Sequence, residues 1–479
     1  MLRKKIAFFL CITGAWLLLA SCGGSGGDDA PAAPNTPPPA SLNGETALDG
    51  YVDRADANYS FSEYHAEHEV GYNAYFLKMT SQQWRSASEV NRPLWEHEML
   101  IVIPEIELDN TDTAVLLISG GSNGGSLPTD VHPAVGAAAV ATGAVLAVVS
   151  QVPNQPLYFA DDGGRGRKED EILAYSLDKA LDTGDMEWAV HLAMTKAAVR
   201  AMDTVQTFAA SKGRKINSFL VLGGSKRGWT TWLTAAVDPR VKAIAPASID
   251  MLNLGQQFIH QWEAYGSFGK ALEDYVAFDL PCRLQTSQGK ALLQVVDPYS
   301  YRDRYTMPKL LLNGTGDQFF VTDSSRLYYA ALPGPKWLRY KPNTDHIQNE
   351  EVLVNAVSWL DDILDNKTSP RITWALEGTG RLRITPSATP KEVRLWQATN
   401  PGARDFRLET IGPVWTSQVL APSPDGSYVG GVQQPPTGWT AFLIEATFAT
   451  AGVFEPDQVY STEVQIIPDT LPYAGTACP

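Results

Sequence analysis

From about residue 100 the chain alternates short apolar runs with longer stretches of helical spacing. Ala114–Ile118 is the first run and leads into Gly120-Gly121. Ala144–Val149, Asn217–Leu222, Val241–Pro246, Lys309–Leu312 and Trp337–Tyr340 follow. Apolar runs without polar alternation read as strands covered on both faces. Helical spacing between them, as in Trp188–Ala210, predicts a parallel sheet with helices on either side. Two stretches break this rhythm. Residues 45–100 are mixed and predict an opening meander of short strands and turns. Residues 250–300 carry Phe258, Trp262, Tyr265, Phe268 and Tyr275 among helix formers, and predict a helical cap between two core strands. From about 370 the pattern changes again. Leu382–Ile384, Val393–Trp396, Phe406–Thr410, Thr440–Phe448 and Val459–Ile467 are short and alternating, with Pro and Gly between them and no helical spacing. They predict a small all-β sandwich. The expected organisation is an α/β domain over 45–367, with its cap at about 250–300, and a β-sandwich domain over 368–479.

The first residues follow a different pattern. Arg3, Lys4 and Lys5 precede an apolar stretch over 6–20, too short for a comfortable membrane span. It ends in Leu19-Ala20-Ser21-Cys22, which resembles a bacterial lipobox. That resemblance implies a signal peptide over 1–21, cleavage before Cys22, and lipid on the Cys22 thiol and the new amine. Two or three acyl chains make a stable anchor where one does not. Residues 22–44 are rich in Gly, Pro and Ala and bury no core, so they read as a tether. The expected place is the bacterial cell envelope, lipid-anchored at the outer membrane. Export permits a disulfide, and spacing alone leaves open whether Cys282 and Cys478 pair. A net charge of −15 argues against nucleic acid as partner, because phosphate binding needs clustered Lys and Arg. The expected partners are a small-molecule or peptide substrate and, through the anchor, the membrane.

One strand runs directly into Gly223-Gly224-Ser225-Lys226-Arg227-Gly228 and then a helix. A serine on a sharp strand-to-helix turn needs small neighbours, and glycines at −2 and +3 supply them. The helix start offers positive potential and free N–H groups to a developing oxyanion, Lys226 first. The pattern departs from G-x-S-x-G, since Arg227 stands at +2. Gly23-Gly24-Ser25-Gly26-Gly27 matches strictly but lies in the tether. Gly120-Gly121-Ser122-Asn123-Gly124 also matches and follows a strand, but opens no immediate helix. It reads instead as an oxyanion loop, with N–H groups at Gly121, Ser122 and Asn123. In this strand–turn–helix logic the chain order is nucleophile, acid, histidine. Asp317, in Gly316-Asp317-Gln318 after the fifth strand, is the expected acid, with Asp323 as fallback; Thr322-Asp323-Ser324-Ser325 looks more like a helix cap. His346, after the sixth strand, is the expected base. His260 falls in the cap.

No cofactor or metal is expected. His65 and His68 stand among Glu63, Glu67 and Glu69, but a solvated polar face fits them better than a metal site. Arg165, Arg167 and Lys168 read as a solvated loop paired with Glu169–Glu171.

Several segments together resemble the PhoPQ-activated pathogenicity-related protein family. They are Gly224-Ser225-Lys226-Arg227-Gly228-Trp229-Thr230, Asp297-Pro298-Tyr299-Ser300-Tyr301-Arg302-Asp303, Pro153-Asn154-Gln155-Pro156, Ala198-Val199-Arg200-Ala201-Met202-Asp203, Gly316-Asp317-Gln318-Phe319-Phe320 and Pro342-Asn343-Thr344-Asp345-His346. The resemblance covers most of residues 50–365. It implies an exported protein of the α/β-hydrolase fold, and matches Ser225, Asp317 and His346 to the triad positions. The function expected is a serine hydrolase acting on a carboxylic ester. A peptidase of the same fold and a non-catalytic binding lipoprotein are the alternatives.

Overall fold

The computed structural model describes residues 45–106, 112–346, 350–450 and 456–475. The proposed leader, Cys22 and the tether lie outside them, as does Cys478; Cys282 is disulfide-bonded. No helix among the described residues is long and apolar enough to cross a membrane.

Nine strands form the main sheet: β1 (Ser60–Glu69), β2 (Tyr72–Gln83), β3 (Leu94–Pro104), β4 (Thr113–Ile118), β5 (Leu146–Val149), β6 (Ser218–Gly224), β7 (Val241–Ala247), β8 (Lys309–Gly314) and β9 (Lys336–Lys341). Their spatial order is β1-β2-β3-β5-β4-β6-β7-β8-β9. The first three strands pair antiparallel, β3 meets β5 antiparallel, and the six from β5 to β9 are parallel. This is the α/β-hydrolase fold with one extra strand at its leading edge. Chain order reverses between β4 and β6, and in such sheets the crevice beyond the carboxyl ends at that reversal receives the ligand.

Successive residues of the parallel strands enter different cores. Leu116, Val221 and Leu311 join the larger cluster, whereas Val115, Leu220, Leu310 and Leu312 join the one beneath Trp359 and Leu360. Both faces are therefore covered, which is why these strands read as unbroken apolar runs.

The opening segment differs from its expectation. It begins with a helix, α1 (Ala47–Asp53), whose Thr46 and Asp49 form a capping box. The meander that follows consists of long strands of ten, twelve and eleven residues. Core packing on both sides of β2 hides its two-residue period, whereas β3 keeps that period from Leu94 to Ile101.

Four helices fill the connections before β7: α2 (Pro133–Thr142), α3 (Asp170–Thr183), α4 (Val190–Ser211) and α5 (Lys226–Val237). The insertion between β7 and β8 is helical, with α6 (Leu254–Tyr265), three short helical segments, α7 (Ser287–Val296) and a 3-10 helix over Pro298–Arg304. Helix α8 (Glu350–Leu364) closes the parallel sheet.

The C-terminal strands are β10 (Ile372–Leu376), β11 (Arg381–Pro386), β12 (Glu392–Asn400), β13 (Thr416–Val419), β14 (Tyr428–Gly431), β15 (Trp439–Phe448), β16 (Gln458–Ser461) and β17 (Gln465–Ile467). They make two antiparallel sheets, β10-β11-β14 and β13-β12-β15-β16, with β17 also on β15. Leu382 and Ile384 of one sheet share a core with Leu395, Phe442 and Ile444 of the other, and Trp337 and Trp359 of the α/β part enter the same core. Phe406–Thr410, expected as a strand, is instead a loop leading into a single helical turn, Leu408–Ile411. The Asp405 carboxylate accepts from the Arg407 N–H and the Thr410 hydroxyl at 3.0 and 2.9 Å, and that local bonding competes with strand pairing.

Candidate active site

Strand β6 and helix α5 meet at Ser225, whose backbone sits at φ +56°, ψ −129°. Holding a non-glycine residue there costs on the order of 1–3 kcal/mol, and the packing around the turn enforces it. A Cβ on Gly223 would lie 2.4 Å from the Arg227 carbonyl oxygen, and one on Gly228 would lie 2.7 Å from Ile249. Glycine is thus required at −2 and +3. Position +2 is free to carry a large side chain, and this explains the departure from the usual serine motif.

The three expected side chains converge. His346 Nε2 lies 2.7 Å from Ser225 Oγ, and His346 Nδ1 lies 2.8 Å from Asp317 Oδ2. Asp317 also accepts the Phe319 N–H at 2.8 Å, which fixes its carboxylate plane. The His346 N–H donates to Gln318 Oε1 at 3.1 Å, and the Phe319 ring lies 4.4 Å from the imidazole. With a neutral imidazole, Nδ1–H donates to the carboxylate and Nε2 accepts the serine hydroxyl. A cleft opens on Ser225 and His346. The cap supplies Leu254, Phe258 and Tyr275 to its wall; Trp229, Phe319 and Phe320 supply much of the rest.

Asp323, the fallback acid, does other work. It is 1% exposed and binds Arg404, Arg326 and His260, not His346. Nor does its side chain cap the turn that follows it. A buried carboxylate needs cationic partners more than it needs a helix start.

The oxyanion expectations are met unevenly. The Lys226 N–H has no acceptor among the described residues, as expected at a helix start. The Asn123 N–H is already donated to the Gln155 carbonyl at 2.6 Å, so Asn123 is corrected: it is no longer a candidate donor. Gly121 and Ser122 remain, and neither lines the cleft. Gly121 has φ +135° and packs against Gln151.

Glu169 is the residue that sequence reasoning missed. It stands at φ +50°, ψ −126°, nearly the backbone geometry of Ser225. Its carboxylate accepts two Arg227 N–H groups at 2.7 and 2.8 Å and one from Gln155 at 2.6 Å, with Lys226 Nζ at 3.0 Å. Burial alone would push this carboxyl up; Arg227, Lys226 and Gln155 outweigh it and bring it down to about 2. Gln155 also donates to the Gly121 carbonyl, so one carboxylate ties the serine turn to the Gly-rich loop. The large residue at +2 was the available signal. Arg165 does pair with Glu171, but Arg167 is buried, ion-paired with Asp162 and 4.5 Å over the Tyr175 ring. It is therefore not part of a solvated loop: its guanidinium is held by the Asp162 carboxylate and the rings of Tyr175 and, from the cap, Phe278.

Behind the acid lies Asp250, fully enclosed. It accepts the Tyr328 hydroxyl at 2.6 Å and the Tyr340 hydroxyl as well. Burial pushes its carboxyl up to about 7, against the pull of both hydroxyls. The folded chain therefore holds a proton that the unfolded chain, near the usual 3.8, releases. This contribution to stability is full below about pH 4 and fades as pH rises toward about 7. In Asp250→Asn that slope disappears. Urea midpoints should shift in favour of the variant between about pH 5 and pH 8, and parallel shifts in both proteins would refute the assignment.

His65 and His68 lie on β1. His68 Nδ1 meets Asn73 at 2.6 Å, and the His65 ring lies 5.4 Å from Phe76. Among the described residues no group of three His, Cys, Asp or Glu side chains is placed to hold a metal ion.

Comparison with known proteins gives three kinds of match. A family model described as PhoPQ-activated pathogenicity-related protein matches residues 48–407. Autocrine proliferation repressor protein A of Dictyostelium discoideum is 33% identical over 458 residues, covering 90% of this chain and 92% of that protein. Among solved structures, acetyl xylan esterase 1 from Thermoanaerobacterium sp. JW/SL YS485 is 16% identical with a TM-score of 0.47, over 66% of this chain and 93% of that one. The acylaminoacyl peptidase of Pyrococcus horikoshii is 12% identical with a TM-score of 0.39, over 65% of this chain and 42% of that one. The long matched span and the 33% identity across nine-tenths of the sequence place the chain in one family: it belongs to the PhoPQ-activated pathogenicity-related proteins.

Proposed function

We propose that this chain is an exported serine hydrolase that cleaves a carboxylic ester through an acyl-enzyme. One observation carries the reading: hydroxyl, imidazole and carboxylate stand in line at 2.7 and 2.8 Å on the wall of an apolar cleft. Ser225 is the nucleophile. His346 takes its proton during attack and returns it to the leaving group, and Asp317 fixes the tautomer and stabilises the imidazolium. The oxyanion is held by the Lys226 N–H; Gly121 or Ser122 becomes the second donor only if the Gly-rich loop shifts toward Ser225. Water, activated by the same imidazole, then releases the acyl group. The apolar cleft wall suits a substrate with a hydrophobic portion.

A fluorophosphonate probe tests the nucleophile directly. It is expected to label the wild-type chain and leave Ser225→Ala unmarked; equal labelling of both would overturn the reading. The anchor rests on Leu19-Ala20-Ser21-Cys22. Cells fed a labelled fatty acid should mark the chain only while Cys22 is present, and marking that persists in Cys22→Ala removes the anchor from the proposal.

A further inference from the structure

The C-terminal module touches both loops that carry the acid and the base. The Leu408 N–H donates to the Gly316 carbonyl at 2.9 Å, one residue before Asp317. A Cβ on Gly316 would lie 2.7 Å from Leu408, so the two segments are in direct contact. Asn343, three residues before His346, holds φ +57°. Its side-chain amide donates to the Trp415 carbonyl at 3.0 Å and accepts the Trp415 N–H at 2.9 Å. Trp415 is buried. Just before these contacts the same segment reaches the cap, where the Arg407 guanidinium lies 4.7 Å over the Tyr265 ring.

The acid and base loops are joined by two backbone bonds, Gly316 N–H to the Thr344 carbonyl at 2.9 Å and Thr315 N–H to the Lys341 carbonyl at 3.0 Å, and by the His346 N–H to Gln318 Oε1 at 3.1 Å. Gly316 gives the acid loop little stiffness of its own, and Asn343 holds the base loop in a left-handed conformation that few side chains adopt. Proton transfer needs Asp317 and His346 in register, and a misplacement of about 1 Å costs about a hundredfold in rate. An external brace on each loop meets that need.

We infer that residues 404–416 are a strap whose Leu408 and Trp415 backbone groups position Asp317 and His346, making the β module a working part of the active centre. The inference rests on the proposed hydrolase reading. Leu408 is the first residue of its helical turn, where proline is accepted, and Arg407 has the extended φ −57°, ψ 139° that a residue before proline needs. Leu408→Pro therefore suits the turn's own backbone, deletes the bond to Gly316 and sets the ring's Cδ against the Gly316 carbonyl oxygen, so the brace on the acid loop is removed. Asn343→Gly keeps the left-handed backbone and deletes both bonds to Trp415. Asn343→Asp keeps the acceptor and the tolerance for positive φ.

The experiment measures kcat and KM on a p-nitrophenyl ester with thermal melting, using the full chain. Leu408→Pro and Asn343→Gly are expected to lower kcat about ten- to a hundredfold with KM changed less than about threefold. Asn343→Asp is expected to recover part of the loss. Phe448→Leu loosens the module's own core far from the strap, and is expected to lower the melting temperature while keeping kcat. Wild-type kcat in both strap variants overturns the proposal, as does a kcat loss in Phe448→Leu that matches theirs at equal melting temperature. Ser225→Ala separates the two readings: if it turns over normally the hydrolase assignment itself falls, and if it is inactive the strap result stands by itself.

Discussion

Turnover of an activated ester falls about 10⁶-fold in Ser225→Ala and about 10⁴-fold in Asp317→Asn. Ala removes one oxygen and keeps the backbone of the turn, which Gly223, Gly228 and the Ser225 N–H bond to the Ala247 carbonyl hold in place. The loss is therefore chemical. In Asp317→Asn the side-chain carbonyl would still accept the Phe319 N–H, but the new amide nitrogen would face His346 Nδ1. Imidazole then protonates at Nε2 and can no longer accept the Ser225 proton. KM should move little in either variant, since the apolar wall of the cleft is untouched. Residual activity comes from the oxyanion donors and from binding. The double variant should be no worse than Ser225→Ala alone, because the three groups act as one unit. Steady-state kinetics on purified protein, with melting curves as the folding control, check this. Either single variant within tenfold of wild type would remove the mechanism.

How much of this was readable beforehand depended on where the constraint lay. The parallel strands were legible because both their faces are buried, so Ala114–Ile118 and Lys309–Leu312 are apolar almost without interruption. The serine turn was legible from Gly223 and Gly228, since the space for a Cβ is absent at each. Asp317 and His346 followed from chain order at strand ends. What the sequence concealed was long-range. Glu169 looked like one acid among three, yet it pairs across the site with Arg227, 58 residues away. The strap looked like a strand because Phe406–Thr410 alternates. Asp405 drew it into a helical turn, and its contacts to Gly316 and Asn343 depend on backbone groups that no side-chain pattern announces. Asn123 was a reasonable donor until the Gln155 carbonyl took its N–H.

The largest effect on stability is expected at a site that does no chemistry. Arg404→Met should lower the free energy of unfolding by about 3–5 kcal/mol at neutral pH. Arg404 and Asp323 are each 1% exposed. Two N–H groups of the Arg404 guanidinium reach the Asp323 carboxylate at 3.2 and 2.7 Å, and His260 and Arg326 complete its shell at 2.8 and 3.2 Å. Burial alone would push the Asp323 carboxyl up, but the charges of Arg404 and His260 outweigh it and hold it well below the usual range. Met fills much of the space but leaves a buried carboxylate short of its main cation, so the cost is that of an unpaired charge and not of a lost contact. The pH dependence follows in sign. A depressed folded-state value gives stability that is present above about pH 4 and fades as the carboxylate is protonated at lower pH. The gap between wild type and Arg404→Met is thus greatest near neutral pH and narrows below about pH 4. Adding Asp323→Asn to Arg404→Met should recover part of the loss, because no unpaired charge then remains. Urea unfolding at about pH 7 and about pH 3.5 measures all of this. A difference under about 1 kcal/mol at neutral pH would show that Asp323 is held by His260 and Arg326 alone, and that the β module is joined to the acid side of the site by its backbone contacts and not by this buried ion pair.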